Sequence, residues 1–113
     1  MPYVADRSAF VLVPEQPMLD WVRQVTGDEL DMDTLFGEAE VYLVPAFEED
    51  DEMDAVLEQM WPKLFEIELQ TWTRDKASWP QKRSLELFMD WFRFTPFNGV
   101  HDLGPSPLQV ENN

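Results

Sequence analysis

Residues 48–72, EEDDEMDAVLEQMWPKLFEIELQTW, join an acidic run to the longest helical pattern in the sequence. The carboxylates stand at the start, where they complement the positive end of a helix dipole. Apolar residues then recur with the i, i+3, i+4, i+7 spacing of a helix that buries one face: Met53, Val56, Leu57, Met60, Trp61, Leu64 and Phe65. The stretch therefore predicts a long helix. Pro62 in its interior predicts either a kink near Glu58 or the start of a second helix.

Two short apolar runs earlier in the chain predict strands. They are SAFVLV at 8–13 and VYLV at 41–44, and a proline closes each of them. The first run is followed by a helical pattern that begins at Pro17 and ends at Gly27. Residues 28–37 predict a loop with one helical turn at its end, capped by Asp33. The chain therefore reads as two strand-helix units.

The second half contains a further helix and a second region of strand-like residues. Pro80 or Ser84 begins the helix, in which Leu85, Phe88, Met89 and Phe92 share one side and Leu87 and Trp91 flank it. An apolar arc this wide is typical of a helix that is deeply packed or faces a partner. Residues 94–103 are strand-like, break at Asn98-Gly99 as a hairpin turn or a bulge, and resume at Val100.

These elements predict a small two-layer α/β (α+β) domain. About three strands form one sheet, and three to four helices pack on it. The length of 113 residues, with 44% hydrophobic and 13% aromatic residues, suffices for one hydrophobic core. We expect a single globular domain over 1–113, with a loose C-terminal tail at 104–113.

The formal net charge of −15 is unevenly distributed along the chain. Residues 1–47 contribute −7, residues 48–73 contribute −8, and residues 74–113 are neutral, with a basic cluster at 74–83. A field this negative disfavours direct binding to nucleic acid or to an anionic membrane, and it favours basic surfaces. The alternative is that the charge serves only to keep the protein dispersed.

The lack of cysteine excludes several kinds of site, and the first residues bear on the cellular location of the protein. With no cysteine there is no disulfide framework, zinc-thiolate site or thiol nucleophile. The first residues, MPYVADR, lack the charged and apolar regions of a signal peptide, and no apolar run approaches the length of a membrane span. We expect a cytoplasmic protein.

The acidic run also suggests a specific binding role. On a helix, Asp50, Asp54 and Glu58 face one way, with about 5 to 6 Å between neighbouring Cβ atoms, a repeat comparable to phosphates along a nucleic-acid strand. Such a face could occupy the basic site of a nuclease, a repressor or a toxin. The alternative is a solvated helix start.

The predicted partner-binding residues are Glu48, Glu49, Asp50, Asp51, Glu52, Asp54, Glu58 and Trp79. Trp79 is included because an exposed tryptophan beside Arg or Lys often anchors an interface.

Catalytic and metal-binding patterns are weak. His101, the single histidine, precedes Asp102 and could act as a general base, but no nucleophile elbow accompanies it. The carboxylates of 28–33 lack the ligand order of a calcium-binding loop, and the four glycines form no phosphate-binding loop. We predict no catalytic residues, no metal site and no cofactor.

The second half resembles a group of short acidic bacterial proteins of uncharacterised function. The resemblance is carried by WPQKR at 79–83, Phe88, Trp91-Phe92 and the pattern Val100-x-Asp102-Leu103. It implies a bacterial cytoplasmic α/β domain and brings no catalytic residues with it.

The sequence therefore favours a non-enzymatic acidic protein that binds a basic protein partner, in an inhibitor, immunity-type or nucleic-acid-mimic role. One alternative is a homo-oligomeric structural protein, a homodimer formed through the helix around Leu87 and Trp91. Another is a small hydrolase that uses His101 and carboxylates, with Asp102 or a bound metal as the partner of the histidine.

Overall fold

The computed structural model describes residues 6–104 and the backbone of residues 3 and 4. The strands are β1 (Tyr3–Val4), β2 (Arg7–Pro14), β3 (Val41–Pro45), β4 (Phe92–Phe97) and β5 (His101–Asp102). The helices are α1 (Gln16–Thr26), α2 (Met32–Phe36), α3 (Asp50–Trp72) and α4 (Leu85–Trp91), and a short 3₁₀ turn spans Lys76–Ser78. The predicted tail at 104–113 lies outside the described residues apart from Gly104.

The main sheet has three antiparallel strands in the order β3-β2-β4, and β1 pairs with β5 in a separate two-stranded ribbon. The central strand β2 pairs residue for residue with both neighbours, so Phe10 lies opposite Tyr42 on one side and Pro96 on the other. The prediction of a small α+β domain with about three strands and three to four helices is confirmed.

The helices pack against one face of this sheet. Alternate residues of β2 point to opposite faces, and Phe10 and Leu12 on the inner face are completely buried. They join a single hydrophobic core that includes Met18 of α1, Phe65 of α3 and Phe88 of α4. The outer face, by contrast, retains solvent exposure on Val41, Leu43 and Phe97.

Capping residues set three of the helix ends. Gly27 ends α1 at φ 73°, a left-handed conformation that favours glycine, as predicted. Helix α2 begins at Asp31, whose carboxylate accepts a hydrogen bond from the backbone N–H of Thr34 at 2.8 Å. The prediction of Asp33 as the cap is therefore wrong by two residues, and Asp33 lies in the first turn of α2. Ser84 caps α4 by accepting a hydrogen bond from the N–H of Leu87.

The course of the chain decides two alternatives that the sequence left open, at Pro62 and at Asn98-Gly99, and corrects the assignment of Phe92. Helix α3 continues through Pro62 to Trp72, so Pro62 does not begin a second helix. Helix α4 ends at Trp91, and Phe92 is the first residue of β4 rather than part of the helix, because it pairs with Pro14 of β2. Residues 98–100 connect β4 to β5 in a different sheet, so Asn98-Gly99 is not a hairpin turn.

Candidate functional site

The acidic run lies at the N-terminal end of α3. Glu48 and Glu49 precede the helix, and Asp50, Asp51 and Glu52 form its first turn. All seven predicted carboxylates of the acidic face are exposed; they are Glu48, Glu49, Asp50, Asp51, Glu52, Asp54 and Glu58. The structure therefore places these seven predicted site residues around the N-terminal end and first turns of α3, all of them exposed to solvent.

These carboxylates form no ion pair within the described part of the chain. Among residues 6–104 the structure contains one ion pair, between Arg7 and Asp6, and none within the acidic face. Glu49 occupies the N-cap position of α3 without a side-chain hydrogen bond to the helix. The carboxylates are consequently available to an external cation, apart from their attraction to the helix dipole.

A groove of about 240 Å³ adjoins this acidic face. The carboxylates of Glu48, Glu49 and Asp50 form one side of it. Its remaining lining is largely apolar and comes from both sequence halves: Phe47, Met53, Pro96, Phe97 and Asn98. The arrangement places an apolar surface beside concentrated negative charge, which suits the aliphatic stem and charged head of a lysine or arginine.

Ser8 holds the two sides of this groove to the central strand. Its hydroxyl oxygen accepts a hydrogen bond from the Phe47 N–H at 3.0 Å, and it lies 3.3 Å from the carbonyl oxygens of both Phe47 and Asn98. The residue is completely buried. Its hydroxyl proton can be donated to either carbonyl, so a single side chain links the start of the acidic run to the end of β4.

Trp79 does not contribute to the exposed site. Only 5% of its surface is accessible, and its indole Nε1–H donates to the carbonyl of Thr73 at 2.9 Å. Lys76 and Arg83 lie 5.9 and 5.6 Å from the ring centroid. The expectation of an exposed anchor is wrong, because the basic residues around Trp79 pack on its ring within the protein instead of marking an external surface.

The apolar residues of the helix around Leu87 and Trp91 pack mainly against the protein's own core. Both residues are half-buried and pack against the core. The Trp91 ring lies 5.9 Å from Trp21 and 5.5 Å from Phe65. The exposed apolar residue of α4 is Met89. The wide apolar arc therefore reflects deep packing on several sides.

His101 is exposed on β5. Within residues 6–104 no hydrogen bond joins it to a carboxylate. The neighbouring Asp102 instead accepts a hydrogen bond from the backbone N–H of Gly104 at 2.8 Å. In the described part of the chain no cluster of three or more His, Asp or Glu side chains has the geometry to hold a metal ion. No helix in that part is long and apolar enough to cross a bilayer.

A partly buried polar pair, absent from the predicted site residues, joins β3 to α3. The Tyr42 hydroxyl donates a hydrogen bond to the carboxylate of Glu68. Burial raises the pKa of Glu68, with nearby Glu40 adding to the rise, although the Tyr42 hydrogen bond opposes it. Burial also raises the pKa of Tyr42, as does its bond to Glu68. Glu68 follows Phe65 by three residues and Leu64 by four, so it interrupts the apolar face of α3, and this spacing was the sequence signal for a carboxyl shielded from water. Its partner Tyr42 depends on the packing of β3 against α3, which no local pattern reveals.

Replacing Glu68 by Gln tests the effect of this buried carboxyl on stability. The folded-state pKa is raised, so folding binds a proton above the unfolded-state pKa, and stability falls as pH rises through the folded-state pKa. Gln stays neutral and still offers an oxygen to Tyr42. We expect Glu68→Gln to gain stability relative to the wild type as pH rises from 4 to 8, measured by urea unfolding.

The difference in unfolding free energy between Glu68→Gln and the wild type reports on Glu68 alone, because the other carboxylates titrate in both proteins. Tyr42→Phe serves as the control, because it removes the hydroxyl and leaves the ionisable carboxyl in place. A difference that does not change with pH would show that folding leaves the pKa of Glu68 unshifted. A relative loss of stability of the variant at high pH would show that the hydrogen bond to the ionised carboxylate outweighs the cost of burying the charge.

Comparison with protein-family models, with curated proteins and with solved structures finds no match to this chain. Its functional interpretation therefore depends on the site alone.

Proposed function

We propose that this protein is a non-enzymatic binding protein that presents its acidic face to a basic protein partner. One observation carries the proposal: seven exposed carboxylates at the start of α3 form no ion pair with any residue of 6–104, and three of them line a groove whose other residues are largely apolar. Concentrated charge of one sign steers a partner of the opposite sign during association. The expected cytoplasmic, bacterial setting belongs to the same proposal.

The groove favours a protein partner over a small cation. Lysine and arginine side chains carry long aliphatic stems that pack on apolar surface while their heads remain charged. Phe97 and Met53 supply such surface beside Asp50. A basic protein could insert one of these side chains and add further ion pairs along α3, whereas a simple metal ion would gain nothing from the apolar lining.

Inhibitor, immunity-type and nucleic-acid-mimic roles all follow from this surface. Asp50, Asp54 and Glu58 are spaced by four residues on α3 and share one direction. A partner that normally grips phosphates would accept such a row of carboxylates, in which case the protein should compete with duplex DNA for that partner.

The test is capture of a partner from bacterial lysate at low and high salt. The variant replaces six acidic residues with their amides: Glu48, Glu49, Asp50, Asp51, Glu52 and Asp54. We expect the wild type to retain a basic protein at low salt and to lose it at high salt, because exposed charge pairs are screened. The variant should bind the purified partner at least about tenfold more weakly.

A charge-matched control separates position from total charge. It amidates six other exposed acidic residues: Asp20, Asp28, Glu29, Asp33, Glu38 and Glu86. We expect this control to bind nearly as well as the wild type. If both variants lost partner binding equally, binding would depend on net charge and not on the position of the acidic face. If neither variant lost partner binding, the proposal would be contradicted.

A further inference from the structure

The groove beside the acidic run lies where two distant parts of the chain meet. Residues 47–53, which lead into α3, supply one side, and residues 96–98, at and just after the end of β4, supply the other. Its volume of about 240 Å³ is smaller than the roughly 300–1,000 Å³ of a pocket that holds a drug-sized molecule. The groove is therefore matched in size to a single side chain of a partner.

Negative charge in the groove selects a cationic occupant. Glu48, Glu49 and Asp50 line it, and among the described residues no lysine or arginine does. None of the three carboxylates forms an ion pair with a residue of 6–104. The start of α3 carries the positive pole of the helix dipole, equivalent to about half an elementary charge, and three carboxylates outweigh it. The groove is thus complementary to a positively charged side chain.

An exposed aromatic ring distinguishes between the two long cationic side chains. Phe97, the last residue of β4, is 50% exposed and lines the same groove as the three carboxylates. A guanidinium stacks on an aromatic ring, is more weakly hydrated than an ammonium, and presents five N–H donors in a fixed fork. Neighbouring carboxylates can accept several of these donors at once. The compact ammonium of lysine is strongly hydrated and gains less from the ring, so the groove favours arginine.

The rest of the lining suits the aliphatic part of an arginine side chain. Met53 and Pro96 line the groove and are partly buried, which leaves apolar surface open to a partner. The flexible thioether of Met53 adapts its shape to a neighbouring group. The methylene stem of an arginine packs on such surface while its charged head stays among the carboxylates.

We propose that the groove is an arginine-selective anchor site, in which one arginine of the basic partner stacks on Phe97 and binds the carboxylates at the start of α3. This role rests on the proposed function, because it names the side chain through which the partner is recognised. It separates short-range recognition in the groove from the long-range attraction of the whole acidic face. Phe97 becomes a specificity-determining residue, although it carries no charge.

NMR titration of the isotope-labelled full chain measures the selectivity directly. The ligands are N-acetyl-arginine amide and N-acetyl-lysine amide, compared at the same low ionic strength. We expect the backbone amides of Phe97, Asn98 and residues 47–53 to shift, and the arginine ligand to bind at least about fivefold more tightly than the lysine ligand. N-acetyl-citrulline amide has a similar shape without the charge, and it should not bind measurably.

Replacing Phe97 by Leu separates the aromatic ring from the charge. Leucine keeps much of the apolar volume, so the lysine affinity should stay within about twofold of the wild type, and the arginine affinity should fall to the lysine level. Phe36→Leu is the matched control, because Phe36 is a 43% exposed phenylalanine on α2 that does not line the groove. It should leave both affinities unchanged. The amide spectrum of each variant verifies that it folds.

Any of three results would overturn the arginine anchor. They are equal affinities for the two ligands, an arginine preference that survives Phe97→Leu, and an arginine titration that leaves the amides of Phe97 and Asn98 unshifted. The proposed function would stand after each of them, because partner capture is tested through the six carboxylates and not through the ring. If no basic protein is captured, the proposed function fails, whereas the selectivity of the groove is measured without a partner and is decided separately.

Discussion

Replacing Phe65 by Ala should cost about 3–5 kcal/mol of the free energy of unfolding, the range for truncating a buried aromatic residue. Phe65 is completely buried on α3. Its ring lies 5.5 Å from Trp91, 5.6 Å from Phe88 and 5.9 Å from Phe92, all in edge-to-face orientation. The substitution would leave a cavity where α3, α4 and β4 meet. Domains of this size are stabilised by about 5–15 kcal/mol in total, so much of the native population could be lost.

Urea unfolding followed by tryptophan fluorescence measures the effect. Phe65→Leu should cost less, because it retains much of the apolar volume. Phe36→Ala is the control on α2, since Phe36 is partly exposed, and we expect a far smaller loss than at Phe65. A loss below about 1 kcal/mol for Phe65→Ala would contradict the packing of these rings.

Replacing Trp79 by Ala should also destabilise the fold by about 3–5 kcal/mol, as for other buried aromatic residues. The change removes the packed ring, the hydrogen bond to the Thr73 carbonyl and the surface on which Lys76 and Arg83 lie. Trp79→Phe retains an aromatic ring but loses the indole donor. Its cost should be smaller, about 1–3 kcal/mol, because the Thr73 carbonyl loses its partner.

This series separates a structural tryptophan from an interface anchor. If Trp79 is structural, Trp79→Ala should lower the free energy of unfolding more than Trp79→Phe does. Partner binding by the molecules that stay folded should then be unchanged in both variants. If Trp79 were an anchor, Ala would leave unfolding nearly unchanged and weaken binding. That second pattern would contradict the buried position observed here.

The local pattern of the sequence was sufficient to predict most elements. Strand β2 was predicted at 8–13 and extends over Arg7–Pro14, and the pattern at 41–44 corresponds to β3. Gly27 ended α1 as expected because the left-handed backbone conformation there suits glycine. In these segments, periodicity and turn chemistry favour the same structure.

Phe92 was misassigned because two periods coincide there. Counted from Phe88 it has helical spacing, and counted toward Phe94 it has strand spacing. Its pairing with Pro14 of β2 decides the matter. That pairing joins residues distant in sequence, so no local pattern could reveal it.

The candidate site was predictable in its charges but not in its setting. The carboxylates of 48–54 were recognised from their run and the helical pattern that follows. The groove was not, because Pro96 and Phe97 reach it from β4 through the order of strands in the sheet. The environment of Trp79 was missed for a similar reason, since its hydrogen bond to Thr73 depends on the path of the intervening loop.

The buried hydroxyl of Ser8 has a thermodynamic consequence for recognition. It ties Phe47, directly before the acidic run, and Asn98, directly after β4, to one point on the central strand. The two walls of the groove are thus ordered before a partner arrives, and association should lose little backbone entropy there. The groove beside the acidic face would then be a preorganised receptor, because folding alone fixes the positions of its two walls.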